Sequence, residues 1–219
     1  MIFRKIILNI LYSMSVTINN DENDCKKYEK LEVNKNVSIK KSELPPEFSE
    51  DASKVVNDFI GKTIDLNYEI ALYFDYITGE ILKCKIGSET KVELKFEENE
   101  FNGKHVASIH NHTKDMYTPP SDKNFAIFSR KWEDYELIAG INGLWILKAK
   151  LKDEKLTFEL KTNSLILFRM VLDYYSAYSD IQKRNEKIDE EYGKLISNYI
   201  NHKNIKEIQL DKKEYNYDY

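Results

Sequence analysis

Two histidines, His110 and His112, are the residues with the clearest chemical potential in this sequence. They follow the apolar run at 106–109 and are separated by one residue. Residues i and i+2 of a strand point to the same face, whereas the intervening Asn111 points to the other. Two adjacent imidazoles are what a tetrahedral zinc centre needs from one element. The alternative is a chance pair on the surface. The proline-bearing loop and the Ser-Asp pair that follow favour the metal site.

The elements around this pair are predicted from hydrophobic periodicity. A helix is expected over 47–60, where apolar residues share one face. A second, short helix is expected over 122–133, after a polar loop. Strands are predicted at 70–74, 81–86, 91–96, 106–109, 137–139, 144–149 and 156–160. The first two strands read as a hairpin because Thr78 and Gly79 mark a turn between them. The layout predicts an α+β fold.

The two ends of the chain differ from this middle part. Residues 17–43 are polar and charged, which indicates a loosely ordered lead-in. Apolar residues recur at helical spacing from about 164 to 200 and predict a long helical extension. Its expected role is packing or homodimer formation, and the tail at 211–219 is expected to fray. The expected divisions are therefore a lead-in at 1–43, a central domain at 44–162 and a C-terminal helical extension at 163–219.

Composition excludes several classes of protein. There are 33 basic and 37 acidic residues, and the net charge of −4 makes nucleic acid an unlikely partner. No apolar run approaches the ~20 residues of a membrane span. Cys25 and Cys84 are far apart and form no CxxC pair, so neither a disulfide nor a cysteine metal site is expected. We expect a reducing, cytoplasmic location.

The N-terminus is only a weak imitation of a signal peptide. Arg4 and Lys5 precede a short apolar run that Asn9 interrupts, and no clean cleavage site follows. No export is therefore expected. Met14 is an alternative start of the chain.

The segment around the two histidines resembles the JAMM zinc metallopeptidase family of the JAB/MPN fold. That pattern is a glutamate, then His-x-His, about seven residues, and Ser-x-x-Asp, and RadC-like bacterial variants often have a proline before the serine. Here His110 and His112 match the pair, and Ser121 follows Pro120 after an eight-residue spacer at 113–120. Glu69 precedes an apolar run, as the glutamate of the family does. The resemblance covers roughly 47–150 and implies a cytidine deaminase-like mixed sheet flanked by helices.

The resemblance implies a role for each matching residue. His110 and His112 would bind zinc, and Glu69 would take a proton from the water on the metal and pass it to the leaving amine. Ser121 would donate a hydrogen bond to the oxyanion. Two plainer interpretations stay open: Glu69 as a solvent-facing strand carboxylate, and Ser121 as a helix N-cap.

The third zinc ligand departs from the family pattern. The aspartate expected three residues after the serine is Asn124, whose amide oxygen is a weaker ligand than a carboxylate. Asp122 or Asp115 could substitute. The expected function is a zinc-dependent peptidase or isopeptidase that acts on a protein or peptide substrate. The alternatives are an inactive JAB/MPN domain that serves as a protein-interaction module, and a RadC-like accessory of DNA.

Overall fold

A computed structural model of the chain describes residues 23–33, 35–89, 91–92, 100–113 and 118–217. Residues 23–29 are helical. The longer helices are α1 (Glu50–Thr63), α2 (Glu154–Tyr175) and α3 (Ile181–Asn201), with 3-10 helices at Lys41–Glu43 and Asn124–Ser129. The strands are β1 (Val37–Ser38), β2 (Ile70–Asp75), β3 (Ile81–Ile86), β4 (Val106–Asn111), β5 (Glu133–Gly140), β6 (Gly143–Ala149), β7 (Ile208–Lys213) and β8 (Asn216–Tyr217).

Six of the described strands form one mixed sheet in the order β3-β2-β4-β5-β6-β7. The β4–β5 pair is parallel and the other neighbours are antiparallel. The short strands β1 and β8 pair separately. The predicted α+β class is therefore confirmed as a mixed sheet flanked by helices. None of the described helices is long and apolar enough to cross a membrane.

Each face of the sheet is covered by different helices. Helix α1 packs on one face, where Phe59 meets strand residues such as Leu72 and Ile109. Helices α2 and α3 pack on the other face, against residues that include Ile138 and Trp145. Because side chains alternate along a strand, neighbouring residues of β4 enter different layers. The sheet therefore holds one set of β4 side chains in an apolar core and aims the other set toward the 3-10 helix at Asn124–Ser129.

The lead-in is ordered wherever the structure describes it, so the expectation of a loose segment is corrected for 23–33 and 35–43. Tyr28, Val37 and Ile39 are buried in the α1 core. The side chain of Asn57 in α1 bonds both the N–H and the carbonyl of Ile39, at 2.8 and 3.2 Å. A few well-spaced apolar residues thus anchor a mostly polar segment. The domain boundaries remain predictions.

Three other predicted elements are corrected. The strand expected at 156–160 is the start of α2, where the Asp153 carboxylate caps the helix by accepting from the Leu156 N–H. The helix expected over 122–133 is a shorter 3-10 helix, and residue 133 already begins β5. The tail expected to fray, 211–219, provides the second half of β7 and the whole of β8. Of the strand expected at 91–96, residues 91 and 92 are not in a strand and 93–96 lie outside the described residues.

The cysteine prediction is also wrong, because Cys25 and Cys84 form a disulfide that joins the 23–29 helix to β3 across 59 residues. Their separation in sequence gives no hint of this proximity, which arises only when the helix packs beside the sheet. Disulfides are typical of proteins that fold in oxidising compartments. The cytoplasmic location stays a prediction, and the disulfide argues against it.

We expect Cys25→Ser to lower the free energy of unfolding by about 2–4 kcal/mol, because the cross-link no longer restricts the unfolded chain. Urea unfolding in oxidising buffer measures this difference. A reducing agent should shift the wild-type curve to that of the variant and leave the variant unchanged. Two free thiols in the oxidised wild-type protein would contradict the prediction.

Candidate metal site

The two histidines lie side by side at the end of β4. Their ring centroids are 5.2 Å apart, and the ring planes are inclined by 54°. Two imidazoles bound to one tetrahedral zinc at ~2.0–2.1 Å per bond would have centroids about 5 Å apart. The spacing that β4 imposes on His110 and His112 therefore fits two ligands of a zinc ion.

His110 is held in the protonation state that a metal ligand requires. Burial lowers the pKa of its imidazole well below the usual value, and electrostatic interactions with His112 and Arg130 lower it further. The ring is therefore neutral at neutral pH. A neutral imidazole can offer a nitrogen lone pair to a cation without first losing a proton.

Glu69 lies just before β2, the strand that neighbours the histidine strand. Ala71 is paired with His110 in the antiparallel register. This is the last pair of the ladder, and it lies two residues from Glu69 along one chain segment and two residues from His112 along the other. Residues two apart in an extended segment share a face, so this spacing favours a Glu69 carboxyl group on the same side of the sheet as both imidazoles.

The environment of the Glu69 carboxyl favours its protonated form. The side chain is buried, and burial raises its pKa to about 7. A hydrogen bond from the Val92 backbone and the charge of Lys123 act in the opposite direction and limit the rise. A carboxyl group with a pKa near neutrality is suited to take up and release protons. The interpretation of Glu69 as a solvent-facing carboxylate does not fit this burial.

Asn111, which separates the two histidines, anchors the segment that contains Glu69. Its side chain is fully buried on the α1 side of β4. Its Oδ1 accepts from the Ile70 N–H at 2.7 Å, and its Nδ2 donates to the Tyr68 carbonyl at 3.0 Å. One side chain thereby fixes the residues on both sides of Glu69 to the strand of the histidines. The His-Asn-His order alone gave no sign of this role.

Asn124, the predicted third ligand, is brought to His110, but its amide group is turned the other way. Its Oδ1 accepts from the Ser121 N–H at 2.7 Å and from the Ser121 Oγ at 2.9 Å. Its Nδ2 lies 3.3 Å from His110 Nε2. The Ser121 N–H needs an acceptor, so the oxygen end of the Asn124 amide faces Ser121. The third-ligand position therefore presents N–H groups, and metal binding by Asn124 requires its amide to turn over.

Ser121 is exposed and begins the turn that contains Asn124. Its carbonyl accepts from the Asn124 N–H at 3.1 Å, whereas the cap position of the 3-10 helix is Lys123. The alternative role of Ser121 as a helix N-cap is therefore wrong. Its hydroxyl donates to Asn124, so it would have to rotate before it could donate to a substrate.

Glu136 in β5 is a member of this site that the sequence analysis missed. Its Oε1 accepts from Asn124 Nδ2 at 2.9 Å and lies 3.7 Å from His110 Nδ1. Its Oε2 has no hydrogen-bond partner among the described residues. Burial raises the pKa of this carboxyl group to about 8, although the Arg130 charge lowers it. The available signal was a glutamate directly before the apolar run at 137–139, whereas its pairing with Ser108 comes from the parallel register of the folded sheet.

Of the other two carboxylates considered, the structure describes only Asp122. Asp122 is half-buried, and its charge is, after burial, the next cause that raises the pKa of the Tyr192 phenol in α3. Asp115 lies outside the described residues. Within the described ranges, no group of three or more His, Cys, Asp or Glu side chains is arranged to hold a metal ion. The donor set thus fits zinc at two positions and is weaker at the third.

Helix α3 holds residues 118–120, which directly precede Ser121, in place. The Asp189 carboxylate accepts from the Thr118 N–H at 3.1 Å and from its hydroxyl at 2.8 Å. The Tyr192 hydroxyl donates to the Pro120 carbonyl at 2.8 Å. The C-terminal region therefore positions the second half of the site, a contribution that its amphipathic pattern did not reveal.

No protein-family model matches the sequence, and no curated protein is significantly similar to it. The site is therefore interpreted from its own geometry.

We expect Asn111→Ala to lower the free energy of unfolding by about 2–4 kcal/mol, because it leaves the Ile70 N–H and the Tyr68 carbonyl buried without partners. Chemical denaturation measures this loss. Hydrogen exchange should also show faster exchange at the Ile70 amide. The exposed Asn102→Ala is the matched control and should change stability by less than about 0.5 kcal/mol. Equal stability of the two variants would contradict the role given to Asn111.

Proposed function

We propose that this chain is a zinc-dependent hydrolase of amide bonds in proteins or peptides, with a JAB/MPN-like fold. The observation that supports this most is the pair of imidazoles at 5.2 Å, one of them held neutral, on the strand next to Glu69. His110 and His112 would hold the metal. The position of Ser121 and Asn124 in a turn that contacts His110 agrees with the order of residues in the JAMM pattern.

The reaction would divide between the metal and the side chains of this chain. When bound, zinc supplies a Lewis acid that lowers the pKa of water to about 7 and polarises a carbonyl group. Glu69 would accept the proton of the attacking water and deliver it to the leaving amine, since its pKa of about 7 allows both steps near neutral pH. Ser121 would donate to the developing oxyanion after its hydroxyl leaves Asn124.

The first test is metal content. We expect the purified wild-type protein to retain about one equivalent of zinc after dialysis and His112→Ala to retain less than about a tenth, since a two-ligand site loses half of its protein donors. Elemental analysis measures both values. His202→Ala, which changes a histidine exposed at the end of α3, is the control and should keep the wild-type content. Equal zinc in the wild type and His112→Ala would refute the ligand pair.

The second test separates chemistry from metal binding. We expect Glu69→Gln to abolish amide hydrolysis, with a loss of at least about 100-fold, while zinc remains bound, because an amide cannot take up the proton. Peptide and isopeptide substrates are assayed beside elemental analysis of the same samples. Glu154→Gln, an exposed change at the start of α2, should preserve activity. Activity that survives in Glu69→Gln would show that another group is the base.

A second candidate function is favoured by the orientation of Asn124. Its N–H group, rather than an oxygen, faces His110 Nε2, and its oxygen is engaged by Ser121. A polar cluster closed by hydrogen bonds in this way would be stable without a metal. The chain would then be an inactive JAB/MPN-like domain that acts as a protein-interaction module.

Asn124→Asp distinguishes these two functions. A carboxylate there can still accept from the Ser121 N–H with one oxygen and offer the other to a cation, so we expect zinc to bind about 10–100-fold more tightly. Competition with a chelator measures the change. A strong gain from negligible wild-type binding would identify the wild type as the inactive module. Wild-type binding that is already tight and improves by no more than this factor would favour the hydrolase.

A further inference from the structure

One hydrogen bond joins helix α3 to the peptide group directly before Ser121. The Tyr192 hydroxyl donates to the Pro120 carbonyl at 2.8 Å, and this hydrogen bond is buried. The Tyr192 ring packs edge to face against Phe168 of α2, with ring centroids 5.3 Å apart. Packing in the core that α2 and α3 share therefore holds the hydroxyl at this carbonyl.

The same peptide group makes a second hydrogen bond on its opposite side. The Ser121 N–H donates to Asn124 Oδ1 at 2.7 Å. In a planar trans peptide, the carbonyl and the N–H point in opposite directions. A carbonyl that is directed at Tyr192 therefore directs the N–H at Asn124, so that one peptide plane couples α3 to the Asn124 amide.

The residues before this peptide group restrict the rest of the chain. The rings of Pro119 and Pro120 fix φ at both positions, and a residue that precedes a proline is restricted in ψ as well. The plane between Pro120 and Ser121 is thus the first one in this stretch that can turn readily. Its two hydrogen bonds therefore determine its orientation.

The orientation of this plane decides which end of the Asn124 amide faces His110. With Oδ1 engaged by Ser121, the Nδ2 group lies 3.3 Å from His110 Nε2 and donates to Glu136 at 2.9 Å. The nitrogen of an amide is a donor, whereas its oxygen is the atom that binds cations. Asn124 can therefore bind a metal only after Oδ1 leaves the Ser121 N–H.

We propose that Tyr192 is a positioning residue that keeps Asn124 in the orientation that does not bind metal. It acts through the peptide group between Pro120 and Ser121, so helix α3 controls the third ligand position from outside the site. The effect on zinc rests on the proposed function. The effect on the orientation of the amide does not, because it needs only hydrogen bonds within the chain.

The first test removes only the Tyr192 hydroxyl and uses metal-free protein. Tyr192→Phe keeps the packing of the ring and leaves the Pro120 carbonyl without its donor. Because the peptide group can then turn, we expect the Ser121 amide to exchange about 3–10-fold faster than in the wild type. NMR should also show a shift of the Asn124 side-chain amide resonances.

Tyr199→Phe is the matched control. The Tyr199 hydroxyl lies seven residues further along α3 and also bonds side chains of α2: it accepts from Asn163 at 2.8 Å and donates to Glu159 at 2.6 Å. Its removal should leave the exchange of Ser121 and the Asn124 resonances at their wild-type values. A Ser121 amide that responds equally to both variants, or to neither, overturns the proposal.

The second test measures zinc affinity by competition with a chelator. We expect Tyr192→Phe to bind zinc about 3–10-fold more tightly than the wild type, because Oδ1 can turn to the metal more easily. In an Asn124→Ala background the same change should have no effect, because Tyr192 acts only through the Asn124 amide. Zinc affinity that Tyr192→Phe leaves unchanged or weakens, or an equal gain in both backgrounds, contradicts this role.

The two tests separate the role of Tyr192 from the proposed function. If neither the wild type nor any variant binds zinc but the Ser121 amide responds to Tyr192→Phe alone, the positioning role stands and the hydrolase proposal fails. If zinc binds tightly but the Ser121 amide does not respond to Tyr192→Phe, the hydrolase proposal stands and the positioning role fails.

Discussion

The structure is constrained by its buried polar groups, which need hydrogen-bonding or ionic partners. This constraint is strongest at β4. This strand lies inside the sheet, with neighbours on both edges and helices over both faces. On the α1 side it presents Ala107, Ile109 and Asn111, and on the other side it presents Ser108, His110 and His112. The second set is polar and largely buried, so the surrounding elements must supply its hydrogen-bonding and ionic partners.

Those partners come from segments that are distant in sequence. The Ser108 hydroxyl donates to Glu133, which also pairs with Arg130 at 2.8 Å. His110 is contacted by Asn124 and Glu136. A continuous row of polar groups thus runs under the 3-10 helix from Arg130 to His112. A purely apolar β4 would stabilise the fold more simply, so this row is the feature on which the proposed function rests.

The sequence predicted the elements whose signal is local. Alternation and helical spacing were sufficient for α1, for the β2–β3 hairpin and for the strands at the centre of the sheet. The start of α2 was misassigned because Leu156, Phe158 and Leu160 also alternate, and only the cap by Asp153 favours the helix. Strand β7 has only two apolar residues, Ile208 and Leu210, as a sequence signal. Its place in the sheet is determined by its antiparallel pairing with β6.

In the candidate site, too, only the features with a local signal were predictable. The side-by-side arrangement of His110 and His112 follows from the two-residue period of a strand alone. The approach of Glu136 depends on the parallel register of β4 and β5, which no local pattern encodes. The orientation of the Asn124 amide depends on one backbone N–H of Ser121. The disulfide likewise joins two cysteines that only the folded chain brings together.

The pairing of β1 with β8 has a consequence for how the protein is made. The Asn216 side chain donates to the Ser38 carbonyl across 178 residues of chain. During synthesis, β1 cannot find this partner until the ribosome has released the residues of β8, and β6 remains an open edge until β7 emerges. Closure of the sheet is therefore a late, non-local event that must follow translation of nearly the whole described chain. Until then, the exposed edge of β6 is a surface for chaperones to protect.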